Sequence, residues 1–310
     1  METAISKADF AALKTCTSSF MNHVHVVQQS FHLMPDKIHY GACINYVDLK
    51  EFREEFCVEL INTIAEWVYN QKKARKLLKT FEEEGRSPQN AMMKFMQHTF
   101  SKFRDRDERK LFNQGQFGEL LVFNFLQHFF EAVPLLRKMP IKTSKKVEVN
   151  GADAIHYGYH SKKHRLYLGE AKAYTRKYAF KAAFEDALKS LLHTYETHRD
   201  ELDLYVYDDF VDEKLVKIAQ DYKNGVLSNV EVHLVSIMAY HETERIELTD
   251  EDDIKDQIMK VIEERGKSVD KKVVKKLLKD KGLDPRINYI ILPIWDMDKL
   301  LQEFQKRLGK

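Results

Sequence analysis

The chain is 310 residues long, 44% apolar and 32% charged, with a net charge of +2. That composition builds a full core under a densely charged surface, and no stretch reaches membrane-spanning length, so a soluble protein is expected and a membrane-embedded one excluded. Cys16, Cys43 and Cys57 form no paired spacing and no C-x-x-C motif, and no basic region followed by an apolar run opens the chain. Both features point to a reducing, cytoplasmic setting.

In chain order, Val24, Val26 and Phe31 predict a short strand, and Pro35-Asp36 a turn. His23, His25, His32 and His39 match no zinc spacing, and read as surface or internally satisfied histidines. Phe52, Phe56, Leu60, Ile64 and Trp67 recur at three- to four-residue steps, predicting one long amphipathic helix over 49–81. Gly85-Arg86-Ser87-Pro88 stops it and starts a second helix at 89–103, with Ser87 as cap and Pro88 at its first position. The charged run 104–110 reads as a hinge, dividing a helix-rich, partner-binding or regulatory region (1–108) from a core domain (109–310).

That core opens on a largely apolar helix at 112–131 carrying one acid, Glu119, beside Gly115 and Gly118. A buried acid needs a partner, either a lysine or a metal ion, and the glycines suggest close approach to a sheet. Strands follow at 134–142, 147–159 and 165–171, a helix at 178–198, and a strong apolar strand at 230–240. A charged helical insertion near 242–286 holds helices at 252–264 and 269–281. A strand at 287–294 and an amphipathic helix at 296–308 close the chain.

The chemistry gathers in Gly151-Ala152-Asp153 and Gly169-Glu170-Ala171-Lys172. Alternation along a strand puts Glu170 and Lys172 on one face. If the two strands are neighbours, Asp153 and Glu170 meet at one end of the sheet. Two carboxylates beside a lysine make a poor core, because like charges repel and buried charge is costly; a divalent cation resolves the conflict.

In these surroundings Asp153, Glu170 and Lys172 resemble the PD-(D/E)xK nuclease superfamily over residues 112–240, with Ala152 standing where the name-giving proline would be. Gly151-Ala152-Asp153-Ala154, then Gly169-Glu170-Ala171-Lys172, then a basic-aromatic helix more closely resemble the nuclease subunits (HamA) of bacterial Hachiman antiphage systems. The resemblance implies an α/β (α+β) fold with a restriction-endonuclease-like core, a mixed central β-sheet flanked by helices. It implies Mg²⁺ or Mn²⁺ held by Asp153, Glu170, the backbone carbonyl of Ala171 and Glu119. It also implies DNA as substrate and a superfamily 2 helicase subunit (HamB-like) as partner. Lys172 would orient or deprotonate the attacking water, or stabilise charge on the phosphate.

Charge distribution agrees. Residues 137–181 hold twelve Lys/Arg against three acids, so the rest of the chain is net −7. Two of those three acids are the candidate ligands, and the basic excess lies where a polyanion would need it. Tyr174, Arg176, Lys177, Tyr178 and Lys181 mix cations with aromatics after the E-x-K step, and read either as a DNA contact or as an ordinary amphipathic helix start. Stretches 196–213 and 242–256 are acidic, with eight acids each. No P-loop, G-x-S-x-G or H-E-x-x-H competes. The other open reading is a catalytically inactive nucleic-acid-binding or adaptor subunit with the same fold.

Overall fold

A computed structural model of the chain describes residues 5–15, 17–103, 114–137, 151–177, 180–206 and 211–309. The strands are β1 (Val24–Gln29), β2 (His39–Ile44), the short pair β3 (Tyr46–Val47) and β4 (Lys50–Glu51), β5 (Val133–Leu136), β6 (Ala154–His160), β7 (Lys163–Tyr174), β8 (Val230–Glu242) and β9 (Ile287–Trp295). Seven of them form one mixed sheet in the order β1-β2-β9-β8-β7-β6-β5, and β3 pairs with β4 apart from it. Strands β2, β9, β8 and β7 run parallel, while β6, β5 and β1 run antiparallel to their neighbours. The parallel centre is covered on both faces, which is why β8 and β9 are buried along most of their length.

The helices divide between the two faces. They are α1 (Lys7–Leu13), α2 (Ser18–Met21), α3 (Arg53–Asn62), α4 (Ile64–Val68), α5 (Gln71–Glu83), α6 (Pro88–Phe100), α7 (Gln114–Phe130), α8 (Phe180–Tyr205), α9 (Val216–Lys223), α10 (Glu251–Lys267), α11 (Lys271–Leu278) and α12 (Met297–Arg307). One core packs Phe184, Leu188 and Leu191 of α8 with Ile218 of α9, Ile258 of α10 and Val274 of α11 on the sheet. The opposite core packs Phe117, Leu121 and Phe125 of α7 with Phe56 of α3, Trp67 of α4, Phe95 of α6 and Phe304 of α12. The expected mixed sheet flanked by helices is present, and α7, β5, β6, β7, α8 and β8 follow one another in the expected order.

The N-terminal part departs from its prediction in two places. The single helix expected over 49–81 is a strand end followed by three helices. Thr63 interrupts it, its hydroxyl donating back to the Leu60 carbonyl, and Asn70 starts α5 afresh by accepting from the Lys73 amide. Strand β2 has no counterpart among the predicted elements, and it joins β1 to β9, so elements on both sides of position 108 share one sheet. The hinge itself (104–110) lies outside the described residues, as do 138–150, which hold four of the twelve Lys/Arg of the basic run and the outer parts of two predicted strands. Ser87 does cap α6, accepting from the Asn90 amide, with Pro88 in its first turn. His39 is fully buried, bonded to the Pro35 carbonyl and the Tyr289 amide, and burial pushes its pKa down to about 4. It is a core histidine.

Candidate active site

Strands β6 and β7 pair in a register that sets Ala154 opposite Gly169, so Asp153 stands one step beyond, opposite Glu170. Side chains directly opposite on antiparallel strands share a face, and here that face is covered by α8. Asp153 Oδ2 accepts from the Ala171 amide at 2.8 Å. In a strand the N–H and C=O of one residue point to the same edge, so the Ala171 carbonyl opens toward Asp153 as well. Lys172 Nζ lies 2.8 Å from Glu170 Oε1. Asp153 and the Glu170–Lys172 pair, distant in sequence, therefore meet at one end of two neighbouring strands.

Glycines bring the opposite helix close. A Cβ on Gly169 would stand 2.3 Å from Val122 Cγ1, and one on Gly118 would stand 2.9 Å from Ala171 Cβ. Helix α7 can therefore lie almost on β7, which brings Glu119 within electrostatic reach of Asp153. Gly115, predicted to serve the same approach, faces open space instead. Burial, with Glu170 and Glu119 nearby, holds the Asp153 carboxyl well above the usual carboxylate range, while the Ala171 amide and Lys172 work the other way. For Lys172 burial lowers the pKa, but Glu170, its hydrogen bond and Asp153 outweigh it and the net direction is up.

Three residues of α8 that the sequence did not single out hold this arrangement. Ser190 Oγ donates to Glu170 Oε1 at 2.5 Å, and Thr194 Oγ1 to Glu170 Oε2 at 3.3 Å. Glu201 Oε2 accepts from the Ala152 amide at 3.0 Å, fixing the turn that presents Asp153. That turn needs its glycine: Gly151 has φ +113, and a Cβ there would strike the Glu201 carboxylate at 2.3 Å. The signal in the sequence was slight. Ser190 and Thr194 are four apart, hence stacked on one helix face, but look like ordinary polar positions.

A family model described as HamA matches residues 18–308. The chain belongs to the HamA family. No curated protein matches it. Membership places this HamA-family chain in Hachiman antiphage defence, in a system with a partner. Among the described residues no helix is long and apolar enough to cross a membrane.

The chemistry of the donor set fits a hard divalent cation. Asp153 and Glu170 offer carboxylate oxygens and Ala171 a carbonyl, the ligand types Mg²⁺ and Mn²⁺ favour. Among the described residues no three His, Cys, Asp or Glu side chains gather into a group that could hold a metal ion by themselves. Of the residues predicted to contact DNA, Arg176, Lys177 and Lys181 are exposed. Tyr174 is half-buried and spends its hydroxyl on the Ala183 carbonyl at 3.2 Å, tying β7 to α8. Tyr178 lies outside the described residues.

Proposed function

We propose that this chain is a divalent-metal-dependent nuclease that hydrolyses DNA phosphodiester bonds in the cytoplasm, as the effector of a Hachiman system restrained by a superfamily 2 helicase subunit. The observation that carries the reading is the meeting of Asp153, Glu170 and Lys172 at one strand end. Asp153, Glu170 and the Ala171 carbonyl would hold Mg²⁺ or Mn²⁺, with Glu119 alongside. When bound, such an ion neutralises phosphate charge and lowers the pKa of a water nucleophile. Lys172 places an ammonium where it can orient that water or stabilise the phosphate. Ser190 and Thr194 keep the Glu170 carboxylate from turning away, and Glu201 fixes the turn before Asp153. A nuclease with sequence-independent contacts needs restraint, from within the chain or from a partner; α1 to α6 are the proposed dock for that partner, because amphipathic helices build apolar interfaces readily.

Cleavage of DNA in Mg²⁺, stopped by EDTA, tests the chemistry. A folded protein that binds DNA and cuts nothing would be the inactive adaptor instead. Co-purification with the helicase, followed by assays of free and bound forms, tests restraint: equal activity in both contradicts it.

Two further results are expected. Ser190→Ala with Thr194→Val should weaken Mn²⁺ binding about 10- to 100-fold with little change in Tm, the usual effect of freeing a ligating carboxylate. Unchanged Mn²⁺ affinity would show that α8 does not hold Glu170 for this purpose. Replacing Arg176, Lys177 and Lys181 together by alanine should flatten the log–log salt dependence of DNA binding, by about 0.7–0.9 for each phosphate no longer neutralised. Identical salt slopes would reduce these residues to a solvated helix start.

A further inference from the structure

Helix α11 has charges that its own stability does not explain. From Lys271 to Lys281 there are six lysines and one acid, Asp280. Val274 and Leu278 are buried against α8 and α10, while Lys271, Lys272, Lys275, Lys276 and Lys279 are all exposed. Lys271 and Lys272 occupy the first turn, the positive end of the helix dipole, where carboxylates are stabilising and cations are not. Lys271 with Lys275, Lys272 with Lys276 and Lys275 with Lys279 are like charges four residues apart, which also weakens a helix. Among the described residues none of these five lysines forms an ion pair. The preceding helix differs: in α10, Lys255 pairs with Asp252, Arg265 with Glu242 and Lys267 with Glu264.

The position of α11 gives this charge a use. Lys281 Nζ is 2.8 Å from Glu196 Oε1, and a cavity of about 260 Å³ is lined by Phe180 and Lys181 together with Arg265 and Ser268. The two ends of the α11 segment therefore lie along α8, with Ser268 beside Lys181. The lysine-bearing helix thus lies along the helix whose first turn carries Lys181. An eight-residue helix is about 12 Å long, which matches three or four phosphates of one strand of a duplex.

We infer that the lysine face of α11 binds the phosphate backbone of a nucleic-acid duplex, as a second strip of contacts beside the start of α8. The inference uses the nuclease reading only to say which site the duplex leads to; binding itself needs no cleavage. A row of like charges along a helix calls for a partner whose charge is equally continuous, and a phosphate backbone is one. An acidic protein surface is the rival, and the experiment separates them.

The full chain is titrated against a short fluorescent DNA duplex in EDTA over a salt series. Replacing Lys271, Lys272, Lys275 and Lys276 by glutamine keeps helix propensity and removes the charge. Binding is expected to weaken at least about tenfold, with the log–log salt slope flattened by roughly 2–3, about 0.9 for each phosphate released. Arginine at the same four positions should restore both. The matched control removes Lys73, Arg75, Lys76 and Lys94 from α5 and α6, on the opposite face of the sheet, and should leave the slope as it was. An α11 variant that binds with wild-type affinity and slope overturns the inference. So does an equal loss in the α5–α6 control, which would mean net charge alone, or a wild type that binds no duplex, which would give the lysine face to a protein partner. If the wild type binds as expected but cuts nothing in Mg²⁺, the nuclease reading fails and this one stands.

Discussion

Asp153→Asn protein is expected to lose DNA cleavage by on the order of 10³-fold or more and to lose Mn²⁺ binding with it, while Lys172→Ala loses cleavage but keeps the metal. The asymmetry follows from what each group touches. Asp153 faces Glu170 across two strand ends, and its carboxyl is already destabilised as an anion by burial and by two acidic neighbours. A divalent cation would relieve that grouping, and asparagine removes the charge that would attract it. Asparagine can still accept from the Ala171 amide, as Asp153 Oδ2 does at 2.8 Å, so the strand end should keep its shape. Lys172 is itself a cation, so its removal takes nothing from the ligand set. Titration of Mn²⁺ into each variant, read beside cleavage, distinguishes the two effects. Metal binding abolished equally in both variants would mean that Lys172 only shapes the site, and metal retained by Asp153→Asn would place the ion elsewhere.

Gly266→Ala should be strongly destabilising for so small a substitution. Gly266 lies in α10, and a Cβ there would stand 1.9 Å from the carbonyl oxygen of Phe31 and 3.0 Å from its carbonyl carbon. Both are backbone atoms, in a connection where Phe31 and His32 already have positive φ. Something must shift, and overpacking of this kind costs about 1–3 kcal/mol, more than the roughly 1 kcal/mol that alanine gains over glycine in a helix. The contrasting change is Gly115→Ala in α7, where nothing lies within 4 Å, and a gain of about 0.5–1 kcal/mol is expected. Denaturant unfolding of the two variants checks the pair. A Gly266→Ala protein as stable as the wild type would mean that the β1–β2 connection does not rest on α10 as described.

What the sequence revealed of this fold followed the strength of its periodic signals. Strands β7, β8 and β9 are long, carry apolar runs at their centres and are covered on both faces there, and helices α7, α10 and α12 carry unbroken patterns, so all were legible. Strand β2 was not: Tyr40, Gly41 and Ala42 give no alternation, because the strand is buried on both sides and Gly41 is needed where a Cβ would meet Phe31 Cζ at 2.6 Å. The helix predicted over 49–81 failed for a different reason. The apolar spacing continues through Thr63 and Asn70, and only their side-chain bonds to the backbone interrupt it. At the site, Asp153, Glu170 and Lys172 could be recognised because charged groups are conspicuous on apolar strands. Ser190, Thr194 and Glu201 could not, since their role exists only once α8 lies back across β7 and the start of β6. Tyr174 was legible as an aromatic near the site, but its bond to Ala183 was not.

Whether Asp153, Glu170 and Lys172 cut DNA with a divalent metal is decided by cleavage of plasmid by purified wild-type and Glu170→Ala proteins, side by side in Mg²⁺. The wild type is expected to degrade the plasmid, EDTA to stop it, and the folded Glu170→Ala protein to leave the plasmid intact. Equal degradation by both proteins, or none by the wild type in either Mg²⁺ or Mn²⁺, would contradict it.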